Sequence, residues 1–172
     1  MKTKVSTILI LLIAIAFNSY GQKLEENKKD DFTGDTIKNV SWESLGISLS
    51  MDAYRYFRIS KSNSNVSFEL KITPFKAIVP KGSEIMFKLA SGDVVTLKSM
   101  EDVESCLGCG ATGYKASRTK GVYLKYLMSN EQCGKMKTDK VLKIRIYTSD
   151  GSLDWDIKDS VAKKIIKSLE LI

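Results

Sequence analysis

Cysteines are the residues of this chain whose type and spacing best suit chemistry. Cys106 and Cys109 form a C-x-x-C pair, and Cys133 is the third cysteine of the sequence. In thioredoxin-like enzymes the first cysteine of such a pair begins a helix, which lowers the pKa of its thiol. The glycines after Cys106 argue against a helix, and zinc would need a second pair of ligands. The spacing favours a structural disulfide from Cys106 or Cys109 to Cys133, with reduced cysteines or a redox-active Cys106/Cys109 pair as alternatives.

A glycine-rich motif overlaps this pair. Residues 108–113 read GCGATG and match the dinucleotide pattern G-x-G-x-x-G. That pattern binds a nucleotide only where a strand precedes it and a helix opens at its last glycine. The residues that follow, 114–121, are typical of a loop leading into a strand. We therefore predict a loop that uses glycine for backbone freedom, and no cofactor.

The same region carries the clearest charge asymmetry of the chain. No acidic residue lies between Ser105 and Asn130, and basic residues there are interleaved with tyrosines. A basic surface bearing aromatic rings suits an anionic polymer, whereas the simpler interpretation is a solvated face of a mildly basic protein. The candidate ligand patch consists of Tyr114, Lys115, Arg118, Lys120, Tyr123 and Lys125.

The sequence gives little support for catalysis by histidine or by paired carboxylates. The sequence contains no histidine, which excludes histidine-based triads, general bases and metal ligands. Asp154 and Asp156 share one face of a predicted strand, a spacing that a glycoside hydrolase could use. Arg145, predicted opposite Asp156, indicates ordinary surface pairing instead. We predict no catalytic and no metal-binding residue, and the formal net charge of +7 is weak for a nucleic-acid binder.

The N-terminus predicts export. Two lysines precede an apolar run at 8–17, and small residues follow at Ser19 and Gly21. This pattern predicts a signal peptide at 1–21, cut after Gly21, with an uncleaved anchor as the alternative. The run is shorter than the ~20 residues needed to span a bilayer. No cysteine lies near the cut, so we do not expect a lipoprotein. The protein is then periplasmic or extracellular, without a membrane span after cleavage.

The remaining chain is predicted to form one domain. Residues 22–31 are polar and charged, so we expect a disordered leader before a single domain at 32–172. Trp42 is predicted to be a core anchor. Alternating apolar residues predict hairpins at 54–73, 84–99 and 141–157, the second with a three-residue loop and the third turning at Asp150-Gly151. The predicted pairs are Phe57 with Phe68, Phe87 with Leu97 and Ile146 with Trp155.

Two helices complete the prediction. Ser129 and Gln132 have capping-box spacing, which predicts a short helix near 130–138. Asp159 is predicted to cap a C-terminal helix near 160–171, whose apolar stripe packs on the last hairpin. The fold class is therefore α+β, mostly antiparallel β with about seven strands in hairpins.

Three sequence stretches also carry a resemblance. These are FKLASGDVVTL (87–97), CGATG (109–113) and KIRIYTSDG (143–151), the last followed by a terminal helix. Together with the signal peptide they resemble a family of small exported proteins, without assigned function, from Gram-negative bacteria of the Bacteroidota type. The resemblance implies an exported, non-enzymatic domain and assigns no functional residue.

The predicted function is therefore a non-catalytic binding domain of the cell envelope. Its partner is not identified by the sequence, and an anionic glycan or a protein fits the composition. The alternatives are a thiol-disulfide oxidoreductase using Cys106 and Cys109, and a binder of anionic polymer through the basic region from Lys115 to Lys125.

Overall fold

The computed structural model describes residues 22–48, 53–110 and 118–172. The predicted signal peptide, 1–21, and the patch residues Tyr114 and Lys115 lie outside these ranges. In the described ranges eleven strands form two antiparallel sheets accompanied by two helices, which confirms the α+β fold class. The predicted number of strands was too low, because the short edge strands lack a clear apolar alternation.

Two helices accompany the strands, one between the ninth and tenth strands and one after the eleventh. Helix α1 spans Asn130–Thr138 and helix α2 spans Asp159–Glu170. The strands are β1 (Leu24–Lys29), β2 (Thr36–Val40), β3 (Glu43–Ser48), β4 (Ala53–Ser62), β5 (Asn65–Thr73), β6 (Glu84–Leu89), β7 (Val94–Lys98), β8 (Cys106–Leu107), β9 (Lys120–Met128), β10 (Val141–Thr148) and β11 (Gly151–Asp156).

The larger sheet has seven strands and one apolar face. Its order is β1-β2-β4-β5-β9-β8, and β3 also pairs with β4. Strand β2 pairs with the C-terminal half of β4 and β3 with its N-terminal half, so both lie on one side of β4. Along β5, residues at alternate positions from Val66 to Ile72 are buried on the inner face. Their neighbours, from Ser67 to Thr73, point to the outer face.

The smaller sheet covers that inner face. Its order is β11-β10-β6-β7, and the rings of Phe68 and Phe87 meet edge to face at 4.9 Å between the two sheets. Buried residues of both sheets and both helices belong to one hydrophobic core. Helix α2 contributes its apolar stripe and is tied to β3 by an ion pair of 2.7 Å between Lys164 and Glu43. The result is a two-layer sandwich with helical cover.

The predicted disordered leader at 22–31 is wrong, because β1 lies within it. Strand β1 pairs antiparallel with β2, and the side chains of Glu26 and Asn39 hydrogen-bond across the pair. The Gln22 side chain donates to the Lys164 carbonyl oxygen at 2.5 Å and to Ser168 Oγ at 3.0 Å. These polar contacts with an edge strand and a helix give order that apolar content does not reveal.

All three predicted hairpins form, with a register displaced by two residues. Ile59, rather than Phe57, is opposite Phe68, and Phe87 is opposite Val95 rather than Leu97. In the last hairpin Ile144 is opposite Trp155. A displacement by two keeps every side chain on its predicted face, since side chains alternate with a period of two. The faces of the hairpin residues were therefore predicted correctly, although the individual pairs were wrong.

The helix signals were also informative. Helix α1 begins with the predicted capping box, in which Gln132 N donates to Ser129 Oγ and the Gln132 side chain accepts from Ser129 N. Helix α2 differs, because Lys158 is its N-cap and makes no side-chain cap. Asp159 is the first helical residue, and its carboxylate pairs with Lys140 at 2.6 Å and Lys163 at 2.8 Å. These ion pairs take the place of the predicted cap.

Candidate functional site

The structure divides the predicted ligand patch. Tyr123 and Lys125 lie on β9 and project from the outer face of the larger sheet. Lys120 stands at the start of β9 on the opposite alternation, paired with Leu107. Arg118 is exposed before the strand, and Tyr114 and Lys115 lie outside the described residues. Of the four predicted patch residues that the structure describes, only Tyr123 and Lys125 are brought together on one sheet face.

Trp42 joins these two residues, contrary to its predicted place in the core. Val40 and Leu45 take the buried positions at the junction of β2 and β3, where they are 0% and 4% exposed. Trp42 is only partly buried and projects from the outer face. The prediction was wrong because it took the size of the indole as evidence of burial, whereas Trp42 lies between β2 and β3 and its ring contacts Arg58 and Lys71 on the outer face.

The Trp42 side chain lies across the larger sheet. Its ring centroid is 6.1 Å from that of Tyr123, with the rings inclined at 68°. Strands β4 and β5 lie between the two residues, so their backbones are separated by three strand spacings, or ~14 Å. The Arg58 guanidinium lies 4.7 Å from the indole centroid and Lys71 Nζ lies 4.3 Å from it. Both cations come from the intervening strands β4 and β5, so cation–π contacts hold the indole against the outer face of the sheet.

A buried carboxylate organises the residues beneath the indole. Glu69 on β5 is 2% exposed, although it points to the outer face. Its Oε2 accepts from Arg58 Nε at 2.5 Å and from the Tyr123 hydroxyl at 2.6 Å. Its Oε1 accepts from Ser60 Oγ at 2.6 Å and lies 3.9 Å from Lys125 Nζ. The carboxylate thus contacts side chains from both neighbouring strands, β4 and β9, and is itself covered by them.

These contacts set the protonation states. Burial opposes the charge on Glu69, but hydrogen bonds from Ser60, Tyr123 and Arg58 outweigh it and lower the pKa of the carboxyl group. Burial and the bond to Glu69 raise the pKa of Tyr123 to about 12. Burial, followed by the charge of Arg58, lowers the pKa of Lys71. At neutral pH Glu69 is an anion and Tyr123 a neutral phenol, so neither is suited to exchanging protons with a substrate.

We call the outer surface formed by Trp42, Tyr56, Arg58, Glu69, Lys71, Tyr123 and Lys125 the Trp42 face. Its single carboxylate is hidden, whereas Lys125 is half exposed. Arg58 and Glu69 neutralise one another, which leaves the charges of Lys71 and Lys125, partly offset by the Glu25 carboxylate that acts on Lys71. The face therefore presents aromatic rings and positive charge to solvent, and this combination can bind an anion that also has an apolar surface.

The cysteines pair differently from the predicted pattern. Cys106 and Cys109 form a disulfide within the C-x-x-C motif, with 5.3 Å between their Cα atoms. Cys133 is a buried free thiol on α1, so the predicted bond from this residue to Cys106 or Cys109 is wrong. Cys106 lies on β8, a two-residue edge strand, and Cys109 lies in the turn that follows it rather than in a helix. The local geometry thus lacks the helix N-terminus that activates a thioredoxin-like thiol.

Gly110 anchors the segment after this disulfide. A Cβ atom at Gly110 would clash with Thr73 Oγ1 and the Ile72 carbonyl oxygen, and one at Gly121 would meet the same hydroxyl. Two glycines therefore let β9 and the cysteine turn approach the end of β5 closely. The predicted role of glycine in this stretch was backbone freedom, whereas at Gly110 and Gly121 it is the absence of a side chain.

The remaining candidates form ordinary surface pairs. Asp154 pairs with Arg145 through two hydrogen bonds of 2.6 and 2.7 Å, and Asp156 pairs with Lys143 at 3.3 Å. The predicted opposition of Arg145 and Asp156 was displaced by the same two residues as the hairpin. Within the described ranges, no group of three acidic or cysteine side chains is arranged to hold a metal ion, and no helix is long and apolar enough to cross a membrane.

Comparisons with known proteins add no relative. No protein-family model matches the sequence, and no curated protein or solved structure was found to be similar. The resemblance to small exported proteins therefore remains an expectation from sequence, and the functional argument rests on the geometry of the chain.

Sequence reasoning missed most of the Trp42 face. Arg58, Glu69 and Lys71 were not among the predicted site residues. The available signal was the run Ser67-x-Glu69-x-Lys71, in which every second residue of an otherwise apolar strand is polar. Such a pattern identifies the outer face, but it does not reveal that Glu69 is buried or that Trp42 reaches across to it.

Proposed function

We propose that this protein is an exported, non-catalytic binding domain that holds an anionic glycan on its Trp42 face. The observation that carries the proposal is the position of the Trp42 indole over Arg58 and Lys71. The apolar face of a sugar ring packs on an indole as other flat apolar groups do, and neighbouring lysines bind its acidic substituents. The internal ion pair with Glu69 keeps this platform rigid before ligand arrives, which lowers the entropic cost of binding.

The fixed protonation states support binding rather than catalysis. A general acid or base works best when its pKa is near the working pH, whereas Glu69 and Tyr123 are both shifted away from neutrality. The Trp42 face is also an open sheet surface, without walls that would exclude water from a reaction. Both properties favour reversible binding of a polymer that extends beyond the sheet.

The test compares an acidic with a neutral polysaccharide. Affinity electrophoresis in gels containing polygalacturonate or dextran should retard the protein only in the acidic polymer. The double variant Lys71→Gln/Lys125→Gln and the variant Trp42→Ala should each weaken binding by about tenfold or more. The matched control Lys88→Gln/Lys143→Gln removes the same charge from the outer face of the smaller sheet and should change binding by less than about twofold.

Three outcomes would reject the proposal. Equal weakening by the two double variants would indicate unspecific attraction by net charge. Equal retardation in dextran would show that Lys71 and Lys125 do not contribute to binding. Tighter binding to single-stranded DNA than to polygalacturonate would assign the face to nucleic acid, because aromatic and basic residues also bind bases and phosphates.

Export is part of the proposal and has its own test. The protein expressed with its N-terminal segment in a Gram-negative host should appear in the periplasm or medium, with a mature N-terminus at Gln22. A full-length cytoplasmic product would contradict the signal peptide. The Gly21→Leu variant should block or shift cleavage, because signal peptidase requires a small residue before the cut.

The disulfide within the C-x-x-C motif supports a second candidate function, thiol-disulfide exchange. Cys106 is exposed, so a thiolate substrate can reach its sulfur. The reduced protein would be assayed for insulin reduction with dithiothreitol as the electron source, beside the variant Cys106→Ser. Turnover that is no faster than in the variant would end this candidate.

A further inference from the structure

A cleft lies between the two sheets, apart from the Trp42 face. Its floor is Arg55 on the inner face of β4, and its walls come from residues 72–77 and from the turn between β10 and β11. The helices lie at the other end of β4, where Lys61 Nζ donates to the main-chain oxygen of Ile172. Six strand residues, or ~20 Å, separate Arg55 from Lys61, so the cleft opens at the end of the sandwich away from the helices.

Arg55 is a half-buried cation for which the described residues provide no ion-pair partner. Its guanidinium lies 5.0 Å from the centroid of the Trp155 ring, between the two sheets. In the described part of the chain, no carboxylate lies within 4.0 Å of it. By contrast, Arg58 on the same strand pairs with Glu69, and Lys164 beside the sheet pairs with Glu43. Burial lowers the pKa of Arg55, and an uncompensated charge of this kind is costly.

The cleft itself combines apolar walls with a polar rim. Its volume is about 250 Å³. The apolar walls are Ile72, Pro74, Phe75, Ala77 and Leu153. Thr148, Asp150 and Ser152 lie at the rim with Lys76. The adjoining Trp155 ring is 8% exposed, and its Nε1 donor has no hydrogen-bond partner in the described ranges.

We propose that this cleft binds a small organic acid with one carboxylate and one apolar group of about the size of an aromatic ring. The carboxylate pairs with the planar guanidinium of Arg55, which binds such groups through two parallel hydrogen bonds. The apolar group packs against Ile72, Phe75 and Leu153. A cavity of about 150 Å³ holds benzene, so this larger cleft has room for a ring and its carboxylate.

The described lining of the cleft carries two cations, Arg55 and Lys76, and one carboxylate, Asp150, so a single negative charge on the ligand balances it. Asp150 lies at the cleft, with its Oδ1 accepting from Ser149 Oγ at 2.7 Å. A second negative group on the ligand would approach this carboxylate, and like charges at close range disfavour binding. The site therefore differs in ligand class from the Trp42 face, which presents several cations on an open surface. Neither proposal depends on the other.

The experiment uses phenylacetate as the probe and phenylacetamide as its uncharged isostere. The protein has two tryptophans, so its two indole N–H signals in a ¹H–¹⁵N spectrum are assigned with the variant Trp42→Phe. Phenylacetate at millimolar concentration should shift the Trp155 signal and leave that of Trp42 in place. Phenylacetamide should bind about tenfold more weakly or not at all.

Variants at Arg55 complete the test. Arg55→Met keeps the length of the side chain and should weaken phenylacetate binding by about tenfold or more, whereas Arg55→Lys keeps the charge and should retain part of the affinity. Arg145→Met, on the outer face of the smaller sheet, is the matched control and should bind normally. Equal affinity for acid and amide, unchanged binding to Arg55→Met, a shift of Trp42 alone, or no shift would each overturn the proposal. Dispersed amide spectra of every variant confirm that the loss is not one of folding.

Discussion

Arg58 and Glu69 face one another across β4 and β5, and Arg58 Nε donates to Glu69 Oε2 at 2.5 Å. The pair lies on the outward side of the larger sheet, yet Glu69 is almost fully buried because the Trp42 and Tyr123 rings lie beside it. A charge pair under an aromatic cover is unusual on a solvated sheet face. The pair connects side chains of β4, β5 and β9, and it leaves the charges of Lys71 and Lys125 on this face while the Glu69 carboxylate is buried.

Loss of this carboxylate should destabilise the fold. Glu69→Ala removes the acceptor for Arg58, Ser60 and Tyr123 and leaves their donors without a partner. We expect a decrease of about 3 kcal/mol in the free energy of unfolding, as for other buried ion pairs that lose one member. Urea denaturation measures it. Glu104→Ala, at an exposed position, is the control and should stay within about 0.5 kcal/mol of the parent.

The same carboxylate should make stability depend on pH. The pKa of Glu69 in the folded protein is below the value of 4.5 for the free side chain. The stabilisation from its ionised form is therefore complete above the unfolded pKa and is lost as the pH falls through the folded pKa. Urea midpoints of the parent and of Glu69→Gln, measured from neutral pH to about pH 3, should converge on acidification. Parallel curves would show that Glu69 is not the group responsible, since the other carboxylates are unchanged in the variant.

Hairpin register shows how far the sequence could predict the fold. Apolar alternation determines which face each residue takes, but pairs displaced by two residues satisfy it equally well. In the structure each turn is held by a distant segment. Asn63 N donates to the Thr36 carbonyl oxygen, Ser91 N to Asp139 Oδ2, and Ser149 N to the Ile78 carbonyl oxygen. These tertiary hydrogen bonds accompany the observed registers, and no local sequence pattern predicts such bonds.

The turn residues illustrate the same limit. Asp150-Gly151 is a strong hairpin signal, but the turn is formed by Ser149 and Asp150, and Gly151 pairs with Thr148. Gly151 still adopts a positive φ of 116°, so the sequence identified the glycine and its conformation and misplaced it by one position. The Thr148 hydroxyl accepts from Asp150 N and donates to the Gly151 carbonyl oxygen, which closes this turn locally.

The candidate site was less predictable than the fold. Tyr123 and Lys125 were identified from composition, because the absence of acidic residues around them is visible in sequence. Glu69 was not identified, since its partners come from β4 and β9 and are distant in the chain. Trp42 was misplaced for a related reason. Large aromatic residues are usually buried, and only the three-dimensional structure shows that Trp42 lies on the outer face.

Two glycines with opposite surroundings provide a stability prediction. Gly121→Ala should cost about 1–3 kcal/mol, because its Cβ would overlap Thr73 Oγ1 in a closely packed region. Gly134 lies inside α1, and a methyl group added there would meet no atom within 4 Å beyond the backbone of its own helix. Gly134→Ala should therefore stabilise by about 0.5–1 kcal/mol through helix propensity. Thermal unfolding measures the stability of both variants. An unchanged stability of Gly121→Ala would show that β5 and β9 do not approach as closely as described.

Thiol chemistry provides the last prediction. Cys133 is a free cysteine, it is 8% exposed, and burial raises the pKa of its thiol. The folded protein should thus react slowly with Ellman's reagent, and denaturation without reductant should release one reactive thiol of the three cysteines in the chain. Cys133→Ala should abolish that signal, whereas Cys106→Ser should add a second thiol from its former partner. A proteolytic fragment that links Cys133 to Cys106 or Cys109 would instead support the pairing expected from sequence spacing, and would contradict the Cys106–Cys109 disulfide.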